Sequence, residues 1–284
     1  MDARVKPEHD KGGGSEHMSN KWLELNKASW NERAPIHVNS SMHGYDLEAF
    51  KAGRSTLVNG ELDAIGDVTG KELVHLQCHF GLDTLSWARE GAKVTGLDFS
   101  ETAIAAAREI ATEIDVAAEF VVANVYDARE VLGRQYDIVY TGIGAICWLP
   151  DIDAWAKVMA DLVKPGGEFY FVEFHPTEWI WDENFKPGYD YFTPKEGLAL
   201  HEAGSYADPD AVTEHNDTVQ WNHPLGEVVT ALIKVGLRIT ELTEHDTHMV
   251  KAWDFLEDAD NGLYRMPADR PNLPFMYTLR AVKG

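Results

Sequence analysis

The chain is poor in the features that mark an oxidising compartment, a membrane or a polyanionic partner. Among 284 residues only Cys78 and Cys147 are cysteines, too few for a disulfide framework, so both are expected as reduced thiols. No apolar run approaches the ~18 residues a membrane-spanning helix requires, and the N-terminus lacks an apolar signal core. A cytoplasmic protein that engages no membrane is therefore expected. Positive charge is scarce: 25 Lys and Arg stand against 47 Asp and Glu, a net charge of −22. Such a balance repels a phosphate backbone and disfavours nucleic acid as a partner. None of the 12 histidines forms a helical i, i+4 pair with an intervening acid, and the thiols are not paired as in zinc sites, so no metal is expected. His245 and His248 flank Asp246 but read as solvated residues of a loop beyond the sixth strand.

With 44% hydrophobic residues the chain can bury a sizeable core. Residues 1–17 are polar, contain Gly12-Gly13-Gly14-Ser15 and precede Met18, the pattern of a tag or linker. Residues 21–33 carry helical spacing with Trp22, Leu25, Ser29 and Trp30 near one face, and Pro35 is expected to stop the helix. Two further short helices are expected over 42–53 and 56–65.

The most informative stretch is 72–108. An apolar run at 73–76 enters a turn at 77–81, residues 82–89 show helical spacing, and a second strand ends on Asp98. In an open parallel α/β sheet, ligands bind where strands end and helices begin, and an acid at the second strand tip can accept both ribose hydroxyls. Asp98 lies seventeen residues beyond Gly81, close to the spacing of a βαβ cofactor unit. Ser100 then caps an alanine-rich helix over 101–114.

This layout resembles the class I S-adenosylmethionine-dependent methyltransferases of the small-molecule type. The resemblance rests on Val74-His75-Leu76-Gln77-Cys78-His79-Phe80-Gly81, then Gly96-Leu97-Asp98-Phe99-Ser100, then residues 121–127, 136–141 and 162–168 in family order. In the first motif His75 replaces the family's acid, Gln77 and His79 replace two glycines, and Gly81 is retained. The resemblance implies a Rossmann-like α/β fold with a seven-stranded sheet, the last strand antiparallel. It also implies S-adenosyl-L-methionine as cofactor, with S-adenosyl-L-homocysteine as product. It assigns cofactor contacts to Gln77, Cys78, His79, Gly81, Asp98, Phe99, Ser100, Asn124, Val125, Thr141 and Gly142. Phe99 reads equally as an adenine platform or a core aromatic, and His75 and His79 as cofactor contacts or core histidines. Asn124, a polar amide with little packing value at a strand end, favours a functional role. N-terminal helices in this family fold over the cofactor as a lid. Trp30, Arg33 and His37 then become candidates for its methionine end or the acceptor, the alternative being plain helix packing. Ile146 and Trp148 become walls of the reaction site, or Trp148 anchors the next helix.

Residues 176–223 form a long insertion rich in rings, among them Trp179, Trp181 and Tyr191, suited to an acceptor or to a small core of its own. Glu173 and His175 are two apart at the end of the fifth strand, so both are expected on one face, with the carboxylate raising the basicity of the imidazole for proton removal. The resulting division is 18–70 as a helical lid, 71–175 and 224–284 as the α/β core, and 176–223 as an aromatic cap. The expected activity is methyl transfer from S-adenosylmethionine to a small-molecule N or O nucleophile. The alternatives are an NAD-dependent oxidoreductase and a catalytically silent binding protein of the same fold. The acceptor and the oligomeric state are left open.

Overall fold

The computed structural model describes residues 15–41, 45–58 and 60–284, so most of the suspected tag or linker lies outside the described residues. The chain opens with α1 (Ser15–Val38), α2 (Leu47–Lys51) and α3 (Glu61–Ile65). Alternation follows: β1 (Glu72–Leu76), α4 (Leu82–Arg89), β2 (Lys93–Asp98), α5 (Glu101–Glu113), β3 (Glu119–Val122), α6 (Ala128–Leu132), β4 (Tyr136–Thr141), α7 (Ile152–Leu162) and β5 (Val163–Phe174). A hairpin of β6 (Leu198–His201) and β7 (Asp217–Gln220) precedes α8 (Leu225–Lys234) and β8 (Leu237–His245). The short strands β9 (Thr247–His248), β10 (Glu257–Asp258) and β11 (Tyr264–Arg265) lead to β12 (Met276–Lys283).

Seven strands make one sheet in the order β3-β2-β1-β4-β5-β12-β8. The first five pair in parallel, and β12 runs antiparallel between β5 and β8. Period-two alternation divides the core across this sheet. Phe169 and Phe171 join Trp155 of α7 and Val228 and Leu232 of α8 on one face. Tyr170 and Val172 join Tyr140 and Trp87 of α4 on the other. A third cluster under α5 gathers Phe80, Leu85, Ile104 and Phe120. Strand order reverses between β1 and β4, which opens a crevice at their C-terminal ends.

Several local expectations are corrected. Pro35 lies inside α1 and does not end it. The carbonyl of Asn31, which a residue with an N–H at position 35 would have engaged, instead accepts the Thr102 hydroxyl at 2.8 Å. The helix expected over 42–53 shortens to α2, capped by the Asp46 carboxylate on the Ala49 N–H; positions 42–44 lie outside the described residues. The helix expected over 56–65 shortens to α3, because Thr56 spends its hydroxyl on Asp83 and its N–H on Ser86. His245 closes β8, paired with Met276, and His248 is 1% exposed, so neither is a solvated loop residue. Among the described residues no helix is long and apolar enough to cross a membrane.

Close packing at the sheet yields a stability expectation. A Cβ at Gly96 would lie 2.6 Å from the Phe120 ring and 2.9 Å from Cys78 Sγ. Gly96→Ala should therefore cost about 1–3 kcal/mol, read as a lower urea midpoint at unchanged slope. Gly226→Ala in α8, where the added Cβ meets nothing within 4 Å, should remain at or slightly above wild-type stability.

Candidate functional site

A cavity of about 740 Å³ occupies the crevice at the ends of β1, β2 and β4. Its floor is the turn after β1, where Gln77 (φ +57°), His79 (φ +51°) and Gly81 (φ +81°) all take left-handed conformations. For the two residues with a Cβ this costs on the order of 1–3 kcal/mol each. The turn nevertheless delivers the His79 N–H to Asp98 Oδ2 at 2.9 Å, while the Ser100 N–H reaches Oδ1 at 2.8 Å. Asp98 is thereby fixed at the tip of β2, with lone pairs left on both oxygens. Burial pushes its carboxyl up to about 6, against the lowering pull of these N–H donors. Gln77 donates through Nε2 to the Ala145 carbonyl at 2.7 Å. Its Oε1 is buried and without a hydrogen-bond partner, so it presents a bare acceptor on a residue that lines the cavity.

Of the residues singled out from sequence, Trp30, Gln77, Cys78, His79, Gly81, Asp98, Phe99, Asn124, Val125, Gly142, Trp148 and Trp179 line this cavity. Phe99 belongs to none of the buried clusters. Asn124 also has a local task, since its side chain accepts the Tyr126 N–H. Ser100 caps α5, and Thr141 bonds the Leu76 carbonyl behind the floor; neither lines the cavity. Ile146 is 4% exposed and part of the core.

The expected Glu173–His175 pair does not form. Glu173 Oε1 accepts the N–H groups of Gly144 and Phe174 at 2.5 and 2.8 Å, and Oε2 those of Ala145 and Ile146 at 2.7 and 3.1 Å. Three of these four donors belong to the loop after β4, which the carboxylate thus shapes. β5 ends at Phe174, so His175 has left the strand. Its N–H bonds the Phe275 carbonyl, and its Nε2 lies 2.8 Å from Glu244 Oε1 on β8. Burial holds its imidazole below the ordinary value despite the raising pull of Glu244, and it does not line the cavity.

The roof comes from α1 and the insertion. Trp30 meets Trp148, His79 and His37 edge-on at 5.2, 5.1 and 5.6 Å between ring centroids. His37 lies behind it, its Nδ1 2.9 Å from His79 Nε2 and its Nε2 2.7 Å from Ser205 Oγ. Burial lowers His37 to about 4, which leaves it neutral near pH 7. Arg33 does not line the cavity and bonds Ser29 Oγ and the carbonyls of His215 and Glu202. Trp181 stacks on Phe185 at 4.4 Å and lines an adjoining pocket. Tyr191 packs edge-on against Phe192 and lines neither. Tyr206 of the aromatic insertion lines the cavity as well, and sequence reading missed Tyr45, Glu178, His248 and residues 249–252, which also line it. They arrive from segments far apart in the chain, and no local pattern announces them. Among the described residues no group of three or more His, Cys, Asp and Glu could hold a metal ion.

Residues 74–169 match the model of a methyltransferase-domain family. The chain is 32% identical over 177 residues to the ubiquinone biosynthesis O-methyltransferase of Salmonella arizonae, covering 60% of this chain and 65% of that protein. It thus spans just under two thirds of that relative's length. A putative S-adenosylmethionine-dependent methyltransferase from Listeria monocytogenes superposes with a TM-score of 0.54 at 18% identity, over 84% of this chain and 99% of that one. The magnesium protoporphyrin IX methyltransferase of Synechocystis, solved with S-adenosylhomocysteine bound, gives 0.54 at 15% identity over 94% and 99%. At these identities the two structures are similar in fold.

Two expectations follow from the buried carboxyls. Glu173→Gln leaves one oxygen to accept where two did and turns an amide NH2 toward backbone donors, so it should cost about 1–3 kcal/mol in denaturant unfolding. Glu61 is 1% exposed, and burial raises its carboxyl to about 8. A raised folded value means the native state holds a proton that the unfolded chain releases, so this stabilisation is complete below about 4.5 and is lost as pH rises toward 8. Glu61→Gln should accordingly gain stability relative to wild type between pH 5 and 8. The buried histidines titrate alike in both proteins and cancel in that comparison. An unchanging difference across this range would contradict the assignment.

Proposed function

We propose that this chain, a member of the class I S-adenosylmethionine-dependent methyltransferases, transfers a methyl group to an N or O nucleophile of a small molecule. The observation that carries the reading is the pairing, in one cavity, of the Asp98 carboxylate fixed at the β2 tip with the bare Gln77 Oε1. The donor set fits the cofactor: Asp98 suits the ribose hydroxyls, Phe99 and Val125 suit the adenine faces, Asn124 suits the adenine edge, and Gln77 suits the ammonium of the methionine end. S-adenosylmethionine, when bound, supplies a methyl group already activated by its sulfonium. What the chain adds is alignment and water exclusion. Trp30 and Trp148 close the cavity over the floor turn. In this reading Glu173, His175, His37 and Arg33 brace the walls and roof. Residues 18–70 act as the lid and 176–223 as the cap over a core of 71–175 and 224–284. A net charge of −22 suits an acceptor other than nucleic acid.

S-adenosylhomocysteine at a hundredfold excess over its dissociation constant should stabilise the protein by ~2.7 kcal/mol, seen as a rise in Tm, whereas NADH should leave Tm unmoved. Asp98→Ala loses charge-assisted bonds of about 1.5–3 kcal/mol each and should weaken S-adenosylhomocysteine at least tenfold in calorimetry. A shift with NADH and none with S-adenosylhomocysteine would sink the reading.

A further inference from the structure

A second pocket of about 220 Å³ opens beside the main cavity and shares Glu178, Trp179 and Gln220 with it. Trp181 and Trp253 continue its aromatic wall, and Asp190 and Glu202 add carboxylates; no Lys, Arg or His among the described residues lines it. Arg33 approaches Glu202 from outside, its guanidinium engaged with that residue's carbonyl, the His215 carbonyl and Ser29 Oγ.

Glu178 stands at the junction of the two spaces, and its orientation is fixed. Its Oε1 lies 2.9 Å from His248 Nε2. His248 Nδ1 accepts the Val250 N–H at 3.0 Å, so the ring proton resides on Nε2 and is donated to the carboxylate. With both nitrogens engaged, His248 is a positioning residue. Glu178 Oε2, in contrast, is buried without a hydrogen-bond partner. A shielded, unpartnered acceptor oxygen thus belongs to a residue that lines both spaces, the smaller of which is walled by indoles and free of basic side chains among the described residues. Carboxylate and ring faces both attract an organic cation, and the field of a strongly acidic chain steers cations toward it.

We propose that this pocket is an acceptor subsite for a cationic nitrogen, with Glu178 as its counter-ion; the word acceptor rests on the methyltransferase reading, the cation preference does not. The test is calorimetric titration of the full chain with benzyltrimethylammonium, alongside benzyl alcohol and benzoate as neutral and anionic counterparts. The cation should bind at least tenfold tighter than either counterpart, more weakly as salt rises, and tetramethylammonium should compete with it. Glu178→Gln should lower that affinity at least tenfold, and Trp181→Ala, at a residue that lines the smaller pocket and not the main cavity, several-fold. Equal binding of the neutral or anionic compound, no cation binding, or an unweakened cation in a folded Glu178→Gln protein would overturn the proposal. Should Glu178→Gln fail to fold, charge selectivity and tetramethylammonium competition in the wild type decide it. Failure of wild-type protein to bind S-adenosylhomocysteine would instead count against the methyltransferase reading and leave the cation result standing.

Discussion

The site hangs on one buried carboxylate. Glu173, 3% exposed at the end of β5, accepts N–H groups from Gly144, Ala145 and Ile146 as well as Phe174. A loop with three consecutive N–H groups aimed into the protein needs such an acceptor, because unpaired buried donors cost about 1–3 kcal/mol each. Burial raises the carboxyl and the four donors lower it, so the donors are what make a buried charge tolerable there. Three further contacts, one from the floor turn and two from the insertion, then lean on the same loop. Gln77 Nε2 bonds the Ala145 carbonyl, the Trp221 N–H bonds the Cys147 carbonyl, and His223 Nε2 lies 2.7 Å from the Leu149 carbonyl. Floor turn, insertion and β4 wall are therefore set by a single anchor.

The roof is held by a different device. The Asn26 amide both donates to the Val219 carbonyl and accepts the Val219 N–H, at 2.8 and 2.9 Å. That grafts α1 onto β7 as an extra strand would be grafted. Glu32 accepts the N–H groups of Glu214 and His215, and Arg33 reaches the carbonyls of His215 and Glu202. On its other side α1 meets the start of α5 through Asn31, which bonds Ser100, Glu101 and Thr102. The Lys27–Glu101 ion pair there is half exposed and contributes only about 0–1 kcal/mol; the neutral amide contacts carry more of the docking. α1 and the insertion are thus hydrogen-bonded to each other at several points, and the N-terminus of the helix that follows Asp98 is tied to α1.

Much of this was legible in the chain. An apolar run marked β1, the terminal acid marked β2, motifs in family order marked β4 and β5, and Asp98 and the Gln77–Gly81 turn were readable because strand, turn and helix follow within a few residues. What escaped was set by contacts remote in sequence. Pro35 reads as a stop until Thr102, far along the chain, satisfies the Asn31 carbonyl. His175 seemed paired with Glu173 by strand alternation, but the strand ends one residue earlier and Glu244 of β8 takes the imidazole. Glu178 and His248 meet across 70 positions, so neither residue alone carries a sign of the other. Asn124 was legible as a polar residue at a strand end, yet its capping of Tyr126 is a backbone event that composition does not display.

The most direct measurement is a crystal structure grown with S-adenosylhomocysteine. Adenosine density across the ends of β1, β2 and β4, with the ribose hydroxyls on Asp98 and the amino-acid end toward Gln77 Oε1, is the expected result. Ribose density away from Asp98, or a ligand seated outside the cavity beneath Trp30 and Trp148, would contradict it.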